Sequence, residues 1–235
     1  MAKRGAKSGA TALPLPDDES SSYTPSPPHA PHVTLTSLAK GDLLHRVHLS
    51  KYQADQFNPG IDGNARFSPI QDERGRPIPT LYGGNTMDCA LMETVFHDVP
   101  HTAGFKSFDK GRLVGQVHST LRVDQELQLV DLASVPLRKL GVTRKQLIDT
   151  EKDQYPATRK WAAAIYRHCP QAQGLAWISR QDDSARAVVL FGDRIPARSL
   201  QPHGSSRNLL DDVNAYDAVL DLADRIGVNI VAGAS

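Results

Sequence analysis

A chain of 235 residues, 40% of them apolar and 23% charged, is long enough for one sizeable domain with tails and can fill an ordinary core. Its formal net charge is +1, from 27 basic against 26 acidic residues, which argues against a protein whose main task is coating nucleic acid. Cys89 and Cys169 are too few for a disulfide framework, and neither a membrane-spanning apolar run nor an apolar stretch behind the basic start at Met1 to Lys7 is present, so a cytoplasmic protein is expected.

In chain order, residues 1–32 combine Lys3, Arg4 and Lys7 with Ser20 to Ser22 and prolines at 25, 27, 28 and 31. Such a segment has little to bury and reads as a disordered or loosely laid tail. Folded material begins near Val33, and one domain is expected over 33–205. Leu43 to His48 reads as a short strand, 52–79 as irregular chain rich in turn residues, and Thr80-Leu81-Tyr82 as a strand end running into Gly83-Gly84. Asn85 or Thr86 then caps a helix over roughly 87–98. Strands are expected over 112–119, 127–132, 174–178 and 187–191, with helices over 143–150 and 156–169, the second opened by Pro156. The last element, 208–226, is an amphipathic helix with Leu209, Val213, Tyr216, Leu220 and Ala223 on one stripe, expected to pack on the same domain, with self-association or a partner as alternatives. Strands and helices mix without regular βαβ alternation, so the fold class is α+β, a mixed β-sheet core flanked by helices.

The segment Cys89 to Phe96 carries apolar groups on nearly every side of a helical wheel, with Glu93 in its middle. A helix apolar all round is a buried one, and a buried carboxylate needs a partner. Two readings are open: a structural ion pair or exit to solvent beside His97, or a carboxylate in a dry cleft whose charge serves catalysis. Arg46, in an apolar strand, and Arg66, in Ala65-Arg66-Phe67, are the cations that could hold an anion. Neither GxGxxG nor GxxxxGK[ST] occurs, so a Rossmann or P-loop nucleotide site is unsupported. His45 and His48 fall on opposite faces of a strand and make a poor metal pair, and both cysteines read as small buried hydrophobes.

The order of pieces His45-Arg46-Val47-His48, Phe57-Asn58-Pro59, Ala65-Arg66-Phe67-Ser68-Pro69, Thr80 to Asn85, Ala90 to His97, Gly174 to Arg180 and Val189 to Gly192 resembles the RES domain, named for its arginine, glutamate and serine. The resemblance spans about 150 residues and matches the signature residues to Arg66, Glu93 and Ser179, with Arg46 and Tyr82 at further pocket positions. One departure is visible: Ala65 stands where the family commonly has glycine, and Ser68-Pro69 where it has Asn-Pro. The resemblance implies a fold like that of ADP-ribosyltransferases and a toxin that breaks down NAD⁺ by hydrolysis or phosphorolysis, neutralised by a helix-turn-helix (Xre-type) antitoxin. ADP-ribosyl transfer to a protein and a non-catalytic binding fold are the alternatives. It further implies that Glu93 stabilises a cationic sugar, that Arg66 and Arg46 hold the pyrophosphate, that Ser179 donates to a phosphate or ribose oxygen, and that Tyr82 meets the nicotinamide. NAD⁺ is then substrate, with inorganic phosphate as an optional co-substrate and no resident cofactor or metal. Contact with nucleic acid would run only through the antitoxin.

Overall fold

Apolar β-rich runs bounded by turns build the centre of the molecule. The computed structural model describes residues 22–233. Its strands are β1 (Leu35–Leu38), β2 (Leu43–Leu49), β3 (Thr80–Gly84), β4 (Lys106–Asp109), β5 (Gln116–Val123), β6 (Leu127–Asp131), β7 (Gly174–Ile178), β8 (Arg186–Phe191), β9 (Leu200–Pro202), β10 (Arg207–Asn208) and β11 (Val228–Val231). The helices are α1 (Met87–Thr94), α2 (Ser134–Leu140), α3 (Arg144–Leu147), α4 (Tyr155–His168) and α5 (Val213–Arg225). One sheet runs β1-β6-β7-β8-β3-β2-β5-β10 with β9 also on β5, and β4 and β11 form a separate parallel pair. Within the large sheet β6–β7 is parallel and the other pairs are antiparallel, which makes the sheet mixed and the class α+β.

Pairing is uneven along this path. β2 pairs β5 over seven residues, from Leu43–Arg122 to Leu49–Gln116, yet meets β3 only at His45–Gly84. At the end of β3 Gly84 has no Cβ: one placed there would lie 2.6 Å from the Cys89 sulfur, so glycine lets α1 settle on that strand end. One core layer packs Trp161, Ala162 and Ile165 of α4 against Trp177, Val189 and Phe191 of β7 and β8. A second joins α1 to α5 through Leu91, Phe96, Val219 and Leu222, and a third covers the other sheet face around Leu44, Leu81, Leu121 and Leu190.

Several boundaries differ from expectation for local reasons. Helix α1 ends at Thr94 rather than 98: the Val95 and Phe96 amides both bond Leu91 O, at 2.7 and 3.0 Å, and Pro100 disfavours helical backbone just before it. Arg112 and Leu113 belong to a 3₁₀ turn opened by Asp109, whose carboxylate accepts the Gly111 amide at 2.7 Å, so the expected strand over 112–119 starts later, at Gln116. The expected helix over 143–150 shortens to Arg144–Leu147, and α2 was not anticipated, since Ala133 gives it no side-chain cap. Helix α5 starts at Val213 because Asp212 caps the Ala215 amide. Its buried face is therefore Ala215, Val219, Leu222 and Ala223, while Val213, placed on the apolar stripe, is 73% exposed.

The tail expected over 1–32 is described only from residue 22 onward, and that part is attached to the domain. Residues 1–21 lie outside the described residues, and residues 22–33 run as an extended strap over α3 and α4. Thr24, 2% exposed, donates its hydroxyl to Gln146 O at 2.6 Å, and Pro25 O accepts the indole N–H of Trp161 at 2.7 Å. Removing a strap that satisfies buried groups leaves them unpaired, each costing roughly 1–3 kcal/mol. Deleting residues 1–28 is therefore expected to lower unfolding stability by about 2–4 kcal/mol. A urea midpoint equal to that of the full chain would refute this.

Candidate active site

Where β2 and β3 diverge beyond their single shared pair, the loop after β2 fills the wedge. Arg46 holds it from one side, its Nη1 donating to Ala54 O at 2.7 Å and Gln56 O at 3.0 Å. Asn58 holds it from the other by exchanging both backbone bonds with Thr80, at 2.8 and 2.9 Å. Beneath lies a cavity of about 430 Å³, within the range of small-molecule sites. His45, Arg46, Asn58, Arg66, Tyr82, Glu93, His97, Lys152, Tyr155 and Trp177 are among the residues on its wall.

Glu93 reaches the cavity from the last turn of α1, which Thr86 starts by accepting the Cys89 amide at 3.0 Å. Its only polar partner among the described residues is Ser179, whose hydroxyl lies 2.7 Å from Oε1. The direction of that bond follows from the rest of the Ser179 shell. Its oxygen accepts the Gln181 and Asp182 amides at 3.0 and 3.1 Å, so both lone pairs are engaged and the hydroxyl proton points at Glu93. The ion pair considered for Glu93 is therefore not formed, and the carboxylate faces the cavity steered by one neutral donor. Ser179 itself is fully buried and does not line the cavity. Its expected contact with a phosphate or ribose oxygen is thus corrected: the one proton it could give is already given to Glu93.

Arg66 shows the opposite imbalance. It is 5% exposed, its Nε is sealed without a partner, and no hydrogen bond or ion pair reaches its guanidinium among the described residues. The group lies over the Tyr155 ring at 5.6 Å and lines the cavity. Its loop is fixed by its backbone instead. Thr158 donates its hydroxyl to Arg66 O, Arg159 donates to Asn64 Oδ1 at 2.8 Å and Ala65 O at 3.3 Å, and the Phe67 amide donates to the Tyr82 hydroxyl at 3.2 Å. Among the described residues no anion pairs with this buried cation, whose loop is held by its main chain, so its hydrogen-bond donors remain free for an acceptor in the cavity.

Arg46 and Tyr82 have more structural duties than expected. One Arg46 nitrogen carries the wedge loop, its Nε is buried without a partner, and burial pulls its pKa down to about 10 despite nearby Asp55. Burial pushes the Tyr82 hydroxyl up to about 12, against the opposing pull of Ser68, the Phe67 amide and Arg66, so it is a neutral phenol that braces the arginine loop. Its ring, 6.3 Å from that of Trp177, stays on the cavity wall.

Reading the chain alone missed a polar row at the cavity mouth. The Tyr155 hydroxyl meets His97 Nε2 at 3.2 Å, His97 Nδ1 meets Asp98 at 2.8 Å, and Asp98 pairs with Lys152 at 2.8 Å. Lys152, and then His97, hold the Asp98 carboxyl down at about 2. The signal available was the Tyr155-Pro156 helix start, which places an aromatic in the first turn, but its aim at Arg66 depends on the tertiary fold. His45 and His48 do leave opposite faces: His45 meets His118 and His48 meets Ser119.

Compared with known families, residues 43–212 match the model of the RES domain, well over half of the chain. None of the curated proteins compared matches it.

Proposed function

The chain belongs to the RES-domain family, and from that premise we propose that it cleaves the nicotinamide–ribose bond of NAD⁺, with water or inorganic phosphate as acceptor. The observation that carries this reading is a cavity lined by a carboxylate, Glu93, and a buried guanidinium, Arg66, neither of which is paired with an opposite charge among the described residues. NAD⁺ answers both. Its pyrophosphate supplies the anion that Arg66 lacks, and departure of nicotinamide builds positive charge on the ribose, an oxocarbenium-like state that a fixed carboxylate stabilises. Nicotinamide leaves neutral, so the leaving group needs no strong acid. The open part of the Arg46 fork adds a second contact for phosphate, and the Tyr82 and Trp177 rings offer aromatic faces to the nicotinamide.

Ser179 acts here as a positioning residue. Ser179→Ala is expected to lower kcat about five- to tenfold with KM nearly unchanged, because a freely turning carboxylate is less often aimed at the sugar. It should also cost about 1–3 kcal/mol of stability, since the Gln181 and Asp182 amides lose their acceptor. A changed KM with unchanged kcat would assign Ser179 to binding instead.

The deciding experiment is NAD⁺ consumption by the purified chain with and without phosphate, its products separated by chromatography. Free nicotinamide with ADP-ribose means hydrolysis, and phosphate dependence means phosphorolysis. Radiolabel on protein would replace this reading with ADP-ribosyl transfer, and no loss of NAD⁺ would overturn it. A toxin role with a helix-turn-helix antitoxin belongs to the same proposal, and expression in cells checks it by growth arrest that a Glu93→Gln variant does not cause.

A further inference from the structure

A second polar line-up ends on the cavity wall and has no part in the scheme above. The strand order β3-β2-β5-β10 sets His45, His118 and Arg207 side by side across three neighbouring strands. His45 Nδ1 lies 3.0 Å from His118 Nε2, the two rings are within 12° of parallel, and Arg207 Nη2 lies 3.4 Å from His118 Nδ1.

The proton positions follow by elimination. A guanidinium can only donate, so His118 Nδ1 accepts. A neutral imidazole that accepts at Nδ1 carries its proton on Nε2, and here that proton is donated to His45 Nδ1. His45 must then carry its own proton on Nε2. Burial first, then the neighbouring His45, Arg207 and His48, pull His118 down to about 4, and burial with Arg207 lowers His45 as well, so the neutral forms are favoured. The Nε2 of His45 has no partner among the described residues, is not a sealed atom, and belongs to a side chain on the cavity wall.

We propose that Arg207, acting through His118, locks His45 as a neutral N–H donor offered to an acceptor oxygen of the bound dinucleotide. His45 is then a substrate-orienting residue and Arg207 a positioning residue at the far edge of the sheet. The ligand in this proposal rests on the NAD⁺ reading; the tautomer does not. A neutral donor suits this place because it can bind an oxygen without adding a cation beside the sugar carbon where positive charge develops.

Two measurements on the full chain test it. Long-range ¹H–¹⁵N correlation of labelled histidines at pH 7 should show the Nε2–H form for both His45 and His118, and Arg207→Met should mix the tautomers while Arg207→Lys, which still donates, should not. An Nδ1–H or charged His45 overturns the lock. In turnover, His45→Leu should raise KM for NAD⁺ about three- to tenfold with kcat little changed, the loss of one neutral hydrogen bond, and His45→Gln, which keeps an N–H near Nε2, should recover most of it. An unchanged KM in His45→Leu, or equal loss in both variants, overturns the contact. A wild-type chain that leaves NAD⁺ intact would sink the NAD⁺ reading, and the histidine spectrum would still decide the lock.

Discussion

Glu93→Gln is expected to slow NAD⁺ cleavage by roughly 10²–10³-fold or more while the chain keeps its fold and its affinity for NAD⁺. The amide matches the carboxylate in shape, and its carbonyl oxygen can still accept the Ser179 hydroxyl, so the contact that seats the side chain survives. What disappears is negative charge facing a developing cation, an interaction present in the transition state and nearly absent in the ground state. Such a change lowers kcat and leaves KM near its wild-type value. The structure makes the test clean, because no cation is paired with Glu93 among the described residues and none is orphaned by its removal. Initial rates of nicotinamide release, with a thermal melt as fold control, decide it; turnover near wild type in a folded variant refutes the assignment.

Arg66→Met is expected to move stability and function in opposite directions. In the free protein the guanidinium is 5% exposed and, among the described residues, without a hydrogen bond, so its desolvation is offset only by the face of the Tyr155 ring. An apolar side chain of similar length removes that cost, and the melting temperature should hold or rise by a few degrees, as when other unpaired buried charges are replaced. Binding should suffer instead: charge-assisted hydrogen bonds to a phosphate contribute about 1.5–3 kcal/mol, or about 10- to 150-fold in KM. The loop itself should stay in place, since Thr158, Arg159 and Tyr82 hold its backbone rather than its guanidinium. A variant that melts much lower, or one whose kcat collapses at unchanged KM, would show that Arg66 does something other than wait for an anion.

What could be read from the chain alone follows the range of the interaction involved. Strands β7 and β8 lie within a residue of expectation because apolar β-rich runs between turns carry their own signal, and α4 is marked by Pro156. Glu93 stood out because a carboxylate inside an all-round apolar turn is locally anomalous. Its partner is not legible in the chain because the bond to Ser179 joins residues 86 positions apart, and nothing near either one encodes it. The strap escaped notice for a different reason: Pro25 contributes a main-chain carbonyl, which composition cannot distinguish from that of any other residue. Helix α5 was misplaced because Leu209, buried yet outside the helix, lengthened the apparent stripe and rotated its phase away from Ala215 and Val219. His45 reads from spacing only as half of a poor metal pair, whereas its partner is a second histidine 73 positions away on β5, which begins at Gln116.

The one-pair junction of β2 with β3 has a thermodynamic consequence. It divides the large sheet into two leaves, β1-β6-β7-β8-β3 and β2-β5-β9-β10, with Tyr82 and Ser179 hung on or beside the first and His45, His118 and Arg207 on the second. Few ladder bonds cross that line, so the leaves are joined by the shared core around Leu44, Leu81, Leu121 and Leu190 and by the loop between Arg46 and Thr80, and a ligand bound in the gap would add to that cohesion. A molecule gripped from both sides is then a rivet as well as a reactant, and its binding free energy is also a term in the stability of the fold, growing as RT ln(1 + [L]/Kd). On the proposed reading, release of nicotinamide removes one end of that ligand, and the stabilisation should fall to the value set by the affinity of the ADP-ribosyl product.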